Sequence, residues 1–385
     1  MRTLLLLLAI LVTYGSLYPF GFRADDASWP HFLEFITDWS IRTSRGDFIA
    51  NILLFGPIGF VGLLASRLDG ERRVPLRLTM TLALLLAFAL QVAQLWIPGR
   101  SPEVGDALIN TLGLAFGIGA ARVILRLNLS TASRNHSNTL VVPLLLALLW
   151  VGYLWFPLVP TLDLQNVKNG LKPLLIAPAI DPTRVLINAA GWIAWLLILT
   201  RSRLPGLGAL ATCMAAAFVV AMQPLFVNNS ISGNNVVGLA IALMLLPALR
   251  HRAAIAGVAV LLMVAVLASG LYPYRFSPWT NSFEWLPFVG FLRGSMEGNV
   301  ASLLYKCYFY GSILYLIHMI GGTWRTSAVT LAIWLALIEA LQIHVIGRTA
   351  ELTDPLLALI LGYAFSRLPP PSQPRVEKHG RECTP

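Results

Sequence analysis

One segment of the chain sets four polar side chains between two long apolar runs: Gln94-Leu-Trp-Ile-Pro-Gly-Arg100-Ser-Pro-Glu103-Val-Gly-Asp106. The same polar frame returns near the C-terminus, with unchanged spacing, as Gln342-Ile-His-Val-Ile-Gly-Arg348-Thr-Ala-Glu351-Leu-Thr-Asp354. Such a match is improbable by chance in a chain with 57% hydrophobic and 12% charged residues. The sequence therefore contains an internal repeat, which is the signature of an architecture assembled from copies.

The composition predicts a multi-pass membrane protein. A soluble domain carries about 25% charged residues, and this chain carries 12%. Apolar runs of about 18 or more residues recur from end to end, and each could cross a bilayer as a helix. About twelve spans are predicted, at 3–20, 48–66, 76–97, 106–125, 139–158, 172–200, 206–226, 234–249, 253–272, 302–321, 326–345 and 353–367.

A second motif divides these spans into three units. Leu17-Tyr18-Pro19-Phe20 matches Leu271-Tyr272-Pro273-Tyr274, and Trp155-Phe156-Pro157 is a weaker copy. We therefore predict an all-α membrane protein of three tandem, parallel four-helix units. The units are 1–137, a degenerate middle unit at 138–251, and 252–368, followed by a disordered cytoplasmic tail at 369–385.

The middle unit resembles the other two with its charges removed. Asn188 and Trp192 repeat the spacing of Asn51 and Phe55. Gln223 stands where the other units have Gln94 and Gln342, and an amide-rich run follows it: Asn228, Asn229, Asn234 and Asn235.

Basic residues predict the orientation. They gather on the side of the spans that also holds the N-terminus, for example at Arg67, Arg72, Arg73 and Arg77, and such loops are retained in the cytoplasm. Both termini are therefore predicted to be cytoplasmic. The formal net charge of +10 then implies membrane lipids as partners rather than nucleic acid.

The first unit resembles the VanZ-like family of bacterial membrane proteins. The resemblance lies in Asp47-Phe-Ile-Ala-Asn51-Ile-Leu-Leu-Phe55-Gly-Pro57-Ile-Gly59 and in the later positions Gln91, Gln94, Arg100, Asp106, Asn110 and Gly113. The third unit keeps Glu339, Gln342, Arg348 and Asp354 but has Lys306 at the Asn51 position and Ala358 at the Asn110 position. The resemblance implies an envelope protein of a family linked with lowered susceptibility to glycopeptides such as teicoplanin.

The candidate ligand-binding residues follow from these aligned positions, which fall on the outer face. They are Asn51, Gln91, Gln94, Arg100, Glu103, Asp106, Asn110, Lys306, Glu339, Gln342, Arg348, Glu351 and Asp354. Each arginine could bind an anionic head group by paired hydrogen bonds. The structural alternative is that each aspartate caps a helix while the arginine braces the loop against Glu or Asp.

Lys306 and Glu339 are charges inside predicted spans, where an unpaired charge costs about 2.5–3.5 kcal/mol. Their depths below the outer ends of their helices match, and the first unit has the neutral Asn51 and Gln91 there. We therefore predict an ion pair between Lys306 and Glu339, with Asn51 beside Gln91. The segment 283–292 is predicted to form a lid over the third unit.

Cofactor and metal frames such as a P-loop or H-E-x-x-H are absent from the sequence, and Cys213, Cys307 and Cys383 are scattered. We therefore predict no metal, no cofactor and no catalytic residue.

Two functions remain open. The first is binding or remodelling of an anionic lipid-linked precursor or lipid head group at the outer face. The alternative is a transporter or flippase for an anionic lipid or polysaccharide unit. An enzyme of envelope glycan or lipid metabolism is a third hypothesis, which would depend on Glu339 with Lys306. The sequence does not reveal the oligomeric state.

Overall fold

A computed structural model describes residues 1–23, 32, 33, 35, 37, 45–68, 73–98, 103–132, 140–176, 179–202, 208–293 and 295–368. The described chain is mostly helical. Its helices are α1 (Arg2–Leu17), α2 (Arg45–Leu68), α3 (Leu76–Gln94), α4 (Val104–Ala132), α5 (Val141–Leu154), α6 (Leu164–Leu175), α7 (Pro182–Arg201), α8 (Ala209–Ala221), α9 (Gly233–Met244), α10 (Ala253–Leu271), α11 (Val289–Leu292), α12 (Met296–Met319), α13 (Trp324–Gln342) and α14 (Thr353–Arg367). The predicted disordered tail, 369–385, lies outside the described residues.

The helices confirm a mostly helical membrane protein. In the described part of the chain, seven helices are long and apolar enough to cross a membrane: α2, α3, α4, α7, α10, α12 and α13. Four shorter apolar helices are α1, α5, α8 and α9, and α14 has 15 residues. Each segment predicted as a span overlaps one of these helices.

The predicted segment 172–200 is wrong at its start. An additional helix, α6, occupies Leu164–Leu175, and α7 begins only at Pro182. The Asp181 carboxylate accepts the backbone N–H groups of Thr183 and Arg184. An acceptor at the N-cap followed by proline is a strong helix start, and here it outweighs the continuous apolar pattern.

The same tight turn follows α1, α5 and α10, where the sequence has its aromatic-proline motif. Each turn contains a cis X–Pro bond, followed by a residue with φ between 62° and 64°. That residue donates its backbone N–H to the carbonyl three positions earlier, at 2.7–2.9 Å. The three residues are Phe20, Leu158 and Tyr274.

The main apolar core joins the middle and C-terminal helices around Trp150 on α5, which is fully buried. Its ring stacks on Tyr308 of α12, with 4.8 Å between centroids, and meets Trp192 of α7 edge-on at 5.7 Å. The N-terminal helices bury a separate cluster that includes Val12, Phe55 and Leu90.

Helices α2 and α4 approach each other at backbone contact distance. A Cβ added to Gly59 would collide with the Leu114 carbonyl oxygen, and one added to Gly117 would collide with the Gly56 carbonyl oxygen. Small residues allow such close packing between membrane helices. This packing sets Asn51 of α2 near the start of α4.

Candidate functional site

The Asp354 carboxylate is the centre of the C-terminal polar cluster. Lys306 Nζ lies 2.5 Å from its Oδ1, and the Tyr310 hydroxyl donates to its Oδ2 at 2.7 Å. Lys306 and Tyr310 are four residues apart and share one face of α12. The predicted capping role of Asp354 is wrong, because α14 begins at Thr353 and the carboxylate is used by side chains of another helix.

Glu339 of α13 is buried, but its partner is not the predicted one. Its Oε2 accepts the backbone N–H of Glu351 at 2.8 Å. The carboxylates within 4 Å of Lys306 in the described chain are those of Asp354 and Glu351, the latter at 3.9 Å. The predicted ion pair between Lys306 and Glu339 is therefore not formed within 4 Å; the Glu339 carboxylate accepts a backbone N–H instead, and both side chains line the same cavity.

Arg348 braces the turn after α10. Its Nε donates to the Tyr272 carbonyl at 2.8 Å and its Nη2 to the Ser269 carbonyl at 2.6 Å. Within the described residues, Arg348 has no carboxylate within 4 Å. The bracing alternative therefore holds in a changed form, with backbone carbonyls in place of Glu or Asp.

A lid covers this cluster, as predicted for 283–292. Strands β1 (Phe283–Glu284) and β2 (Ala350–Glu351) pair in parallel, and Phe288 donates its N–H to the Thr353 hydroxyl at 2.8 Å. The Phe291 ring lies 5.0 Å from Lys306 Nζ, within reach of a cation–π interaction.

The ends of α10, α12, α13 and α14 and the segment 347–351 enclose a cavity of about 200 Å³. Five charged side chains line it: Lys306, Glu339, Arg348, Glu351 and Asp354. Gln342 and Tyr310 also contribute to the wall. The predicted site residues of the third unit are thus brought together. We name this space the C-terminal cavity.

The N-terminal helices repeat the central contact with an amide in place of the ammonium group. Asn51 Nδ2 donates to Asp106 Oδ1 at 3.2 Å, a bond that the predicted placement of Asn51 beside Gln91 did not include. Gln94 donates to the Ser16 carbonyl at 2.8 Å. Gln91 Oε1 and Asn110 Oδ1 are buried and have no hydrogen-bond partner among the described residues.

Two other predicted site residues of this region are Arg100 and Glu103. Arg100 lies outside the described residues. Glu103 is described and half-buried, just before α4.

A second cavity, of about 480 Å³, lies beside the middle helices. Its wall includes Asn188, Gln223, Asn229, Asn234 and Asn235, none of which was among the predicted site residues. The amide-rich run of the sequence could have indicated this cavity, but the site prediction was limited to the two units that keep charged residues. We name this space the middle cavity.

Comparison with known proteins shows that the N-terminal part of the chain is similar to a known family. Residues 3–126 match the VanZ/LLP1 family model. This region is VanZ-like. The match confirms the resemblance predicted from the Asn51-to-Gly113 motif and covers α1, α2 and α3 and most of α4. Searches of curated proteins and of solved structures found no match to the chain.

Proposed function

We propose that this VanZ-like membrane protein binds the anionic head group of a membrane lipid or lipid-linked envelope precursor in the C-terminal cavity. The observation that carries the proposal is Arg348. Its partners are carbonyl groups, which orient the guanidinium without neutralising its charge. Two of its five N–H groups are used, and the rest can bind a phosphoryl or carboxyl oxygen.

The charges in the wall restrict the kind of head group. Glu339, Glu351 and Asp354 face Lys306 and Arg348 in one small space, so a bare polyanion would meet repulsion. A head group that carries hydroxyl or amino groups beside a single anionic group could bind the carboxylates through the former and the two cationic side chains through the latter. Phosphatidylglycerol has this chemistry.

The fold proposed with this function is three tandem four-helix units with twelve spans and both termini in the cytoplasm. It is supported by the three equivalent turns after α1, α5 and α10. It is also supported by the matched bonds Asn51–Asp106 and Lys306–Asp354. In this topology the C-terminal cavity opens at the outer face of the bacterial inner membrane, where the positive-inside rule puts the loops poor in Lys and Arg.

The family resemblance supports a role in the cell envelope. Binding of a lipid-linked precursor at the outer face would change either glycopeptide susceptibility, including that to teicoplanin, or the supply of envelope polysaccharide. A deletion strain compared with its parent by lipid analysis and by teicoplanin sensitivity tests this level of the proposal.

Lipid binding is tested on the full chain in phosphatidylcholine nanodiscs, with fluorescent phosphatidylglycerol and fluorescent phosphatidic acid as ligands. We expect tighter binding of phosphatidylglycerol, and a loss of about tenfold in Arg348→Ala, since a charge-assisted hydrogen bond contributes about 1.5–3 kcal/mol. Arg275→Ala is the matched control: it removes an exposed arginine from the adjacent outer segment. Equal losses in both variants, or none, would contradict the proposal.

The transporter alternative is separated by a flip assay in sealed vesicles. A binding protein leaves labelled phosphatidylglycerol in its original leaflet. Faster exchange with the wild-type chain, abolished in Arg348→Ala, would favour the flippase.

A further inference from the structure

The middle cavity has polar walls and unsatisfied hydrogen-bonding groups. Gln223 Oε1 and Asn235 Nδ2 have no hydrogen-bond partner among the described residues, although both side chains are only 3% exposed. Buried polar groups in native proteins are nearly always satisfied. Two such atoms in the wall of one cavity of about 480 Å³ indicate a ligand that supplies the missing partners.

The packing around these side chains explains why the two atoms lack partners. In the VanZ-like region, Gln94 donates to the Ser16 carbonyl, three positions before the turn proline. The equivalent carbonyl in the middle helices is that of Leu154, and it accepts from Asn229 Nδ2 at 2.6 Å instead. Asn235 is held by one end only, because its Oδ1 accepts the Trp192 indole N–H at 2.7 Å.

The charge of the wall selects the class of ligand. The described residues that line the middle cavity include no carboxylate, and the one formal charge is on Arg184, which is exposed. The wall otherwise offers amides, the hydroxyls of Ser302 and other residues, and the aromatic ring of Tyr153. A free acceptor and a free donor on fixed side chains match vicinal hydroxyl groups, which both donate and accept.

From these contacts we infer that the middle cavity is a binding site for a neutral, hydroxyl-rich group of the carbohydrate class. Its volume lies within the range of about 300–1,000 Å³ typical of ligand pockets. The site shares Ser269 and Tyr305 with the C-terminal cavity but uses none of the charged residues that carry the proposed head-group binding there. Its existence is therefore independent of the proposed head-group site.

The test uses the full chain in phosphatidylcholine nanodiscs freed of sugar-based detergent. Saturation-transfer NMR is recorded with N-acetylglucosamine, maltose and cellobiose, and with glucuronate as the charged counterpart. We expect at least one neutral saccharide to bind saturably, and more tightly than glucuronate. Absence of saturable binding by every neutral saccharide, or binding by glucuronate alone, would overturn the inference and leave water as the occupant.

Gln223→Met is the decisive variant. It keeps the length of the side chain but removes the unsatisfied acceptor, so the unfolding temperature should stay level or rise. The Kd of the bound saccharide should rise about fivefold, the equivalent of one net hydrogen bond. Gln165→Met makes the same chemical change at an exposed position of α6 and should leave the Kd unchanged.

A second variant approaches the cavity from another helix. Ser302→Leu on α12 fills part of the space without disturbing the amide cluster, and it should also weaken saccharide binding while the chain stays folded. Binding that is unchanged in folded Gln223→Met and Ser302→Leu proteins would refute this location for the site.

Discussion

The polar clusters of the N-terminal and C-terminal helices, which we name the first and third clusters, use the same two aligned positions with different chemistry. In the first, the Asn51 amide donates to Asp106 at 3.2 Å; in the third, the Lys306 ammonium pairs with Asp354 at 2.5 Å. Asp106 is half-buried, whereas Asp354 is 7% exposed and covered by the lid. We infer that Asp354, the more deeply buried carboxylate, needs a cationic partner, because the cost of burying an unpaired charge rises with desolvation.

The next turn of the same helix follows the same rule. Phe55 stands four residues after Asn51 and makes no hydrogen bond with its side chain, whereas Tyr310 stands four residues after Lys306 and donates to Asp354. The middle helices have Trp192 there, whose indole N–H binds Asn235. A donor thus occurs at this position in the two regions whose acceptor, Asp354 or Asn235, is buried.

Copying the first cluster into the third gives the largest expected effect. Lys306→Asn leaves Asp354 buried and without its cation, and should lower the free energy of unfolding by about 3–5 kcal/mol. The measurement is reversible SDS unfolding of the purified protein. The reverse copy, Asn51→Lys, adds a cation beside a half-buried carboxylate and should cost much less.

A double variant separates lost charge pairing from lost packing. Lys306→Asn combined with Asp354→Asn should be more stable than Lys306→Asn alone, since an amide pair leaves no buried charge. If the double variant is as unstable as the single one, packing of the lysine stem rather than pairing holds the cluster.

Tyr310→Phe copies Phe55 and removes one hydrogen bond to a charged group. We expect a loss of about 1.5–3 kcal/mol in the free energy of unfolding. Tyr308→Phe is the matched control, because its hydroxyl donates to a neutral acceptor, the Gly191 carbonyl, at 2.7 Å. Its loss should be only about 0.5–1.5 kcal/mol. Equal losses in the two variants would contradict a charge-assisted hydrogen bond from Tyr310 to Asp354.

The first cluster depends on helix packing more than on charge. Gly117→Ala puts a methyl group against the Gly56 carbonyl and should lower the free energy of unfolding by about 1–3 kcal/mol through overpacking. A Cβ at Gly119, two residues away on α4, meets nothing within 4 Å, so Gly119→Ala should be neutral or slightly stabilising. Thermal unfolding of the two variants side by side checks the difference.

The smallest effect concerns pH in the middle region, whose aligned polar positions are amides. Backbone N–H groups of Arg184 and Thr183 hold the pKa of the Asp181 carboxyl below its ordinary value of 3.8. The carboxylate therefore stabilises α7 fully above that value, and the stabilisation is lost as the pH falls through the depressed pKa.

Asp181→Asn keeps a capping acceptor but cannot titrate. Between about pH 7 and about pH 3, the unfolding temperature of the wild type should fall slightly more than that of the variant. A parallel fall in both proteins would assign the pH dependence to other carboxyl groups.

Sequence patterns located the helices and the members of the polar clusters, but not their pairing. Lys306 and Glu339 were paired because they lie at similar depths below the outer ends of their helices. Equal depth does not establish contact, which also depends on the direction in which each side chain points. Asp354 lies at the start of α14, and the strand pairing before it delivers the Glu351 N–H to Glu339. That donor comes from a two-residue strand with no recognisable sequence pattern.

The middle cavity was missed for a different reason. Unsatisfied atoms of Gln223 and Asn235 become visible only when every potential partner is placed, and an amide in a sequence gives no sign of being unsatisfied. The sequence shows that both residues are amides, but whether an amide lacks a hydrogen-bond partner depends on the packing around it.

The packing of Trp150 also determines where the chain could be divided. Its indole is enclosed by α7 and α12, so helices from both sides of the α9–α10 junction complete a single core. The N-terminal helices have buried apolar clusters of their own and contribute Leu64 and Ile124 to that core. A break between α4 and α5 would therefore leave two pieces, each with its own buried cluster, while a break between α9 and α10 would expose Trp150 on one fragment and the Tyr308 ring that it stacks on in the other. The N-terminal helices thus form a packing unit of their own, whereas the middle and C-terminal helices depend on each other for a shared core.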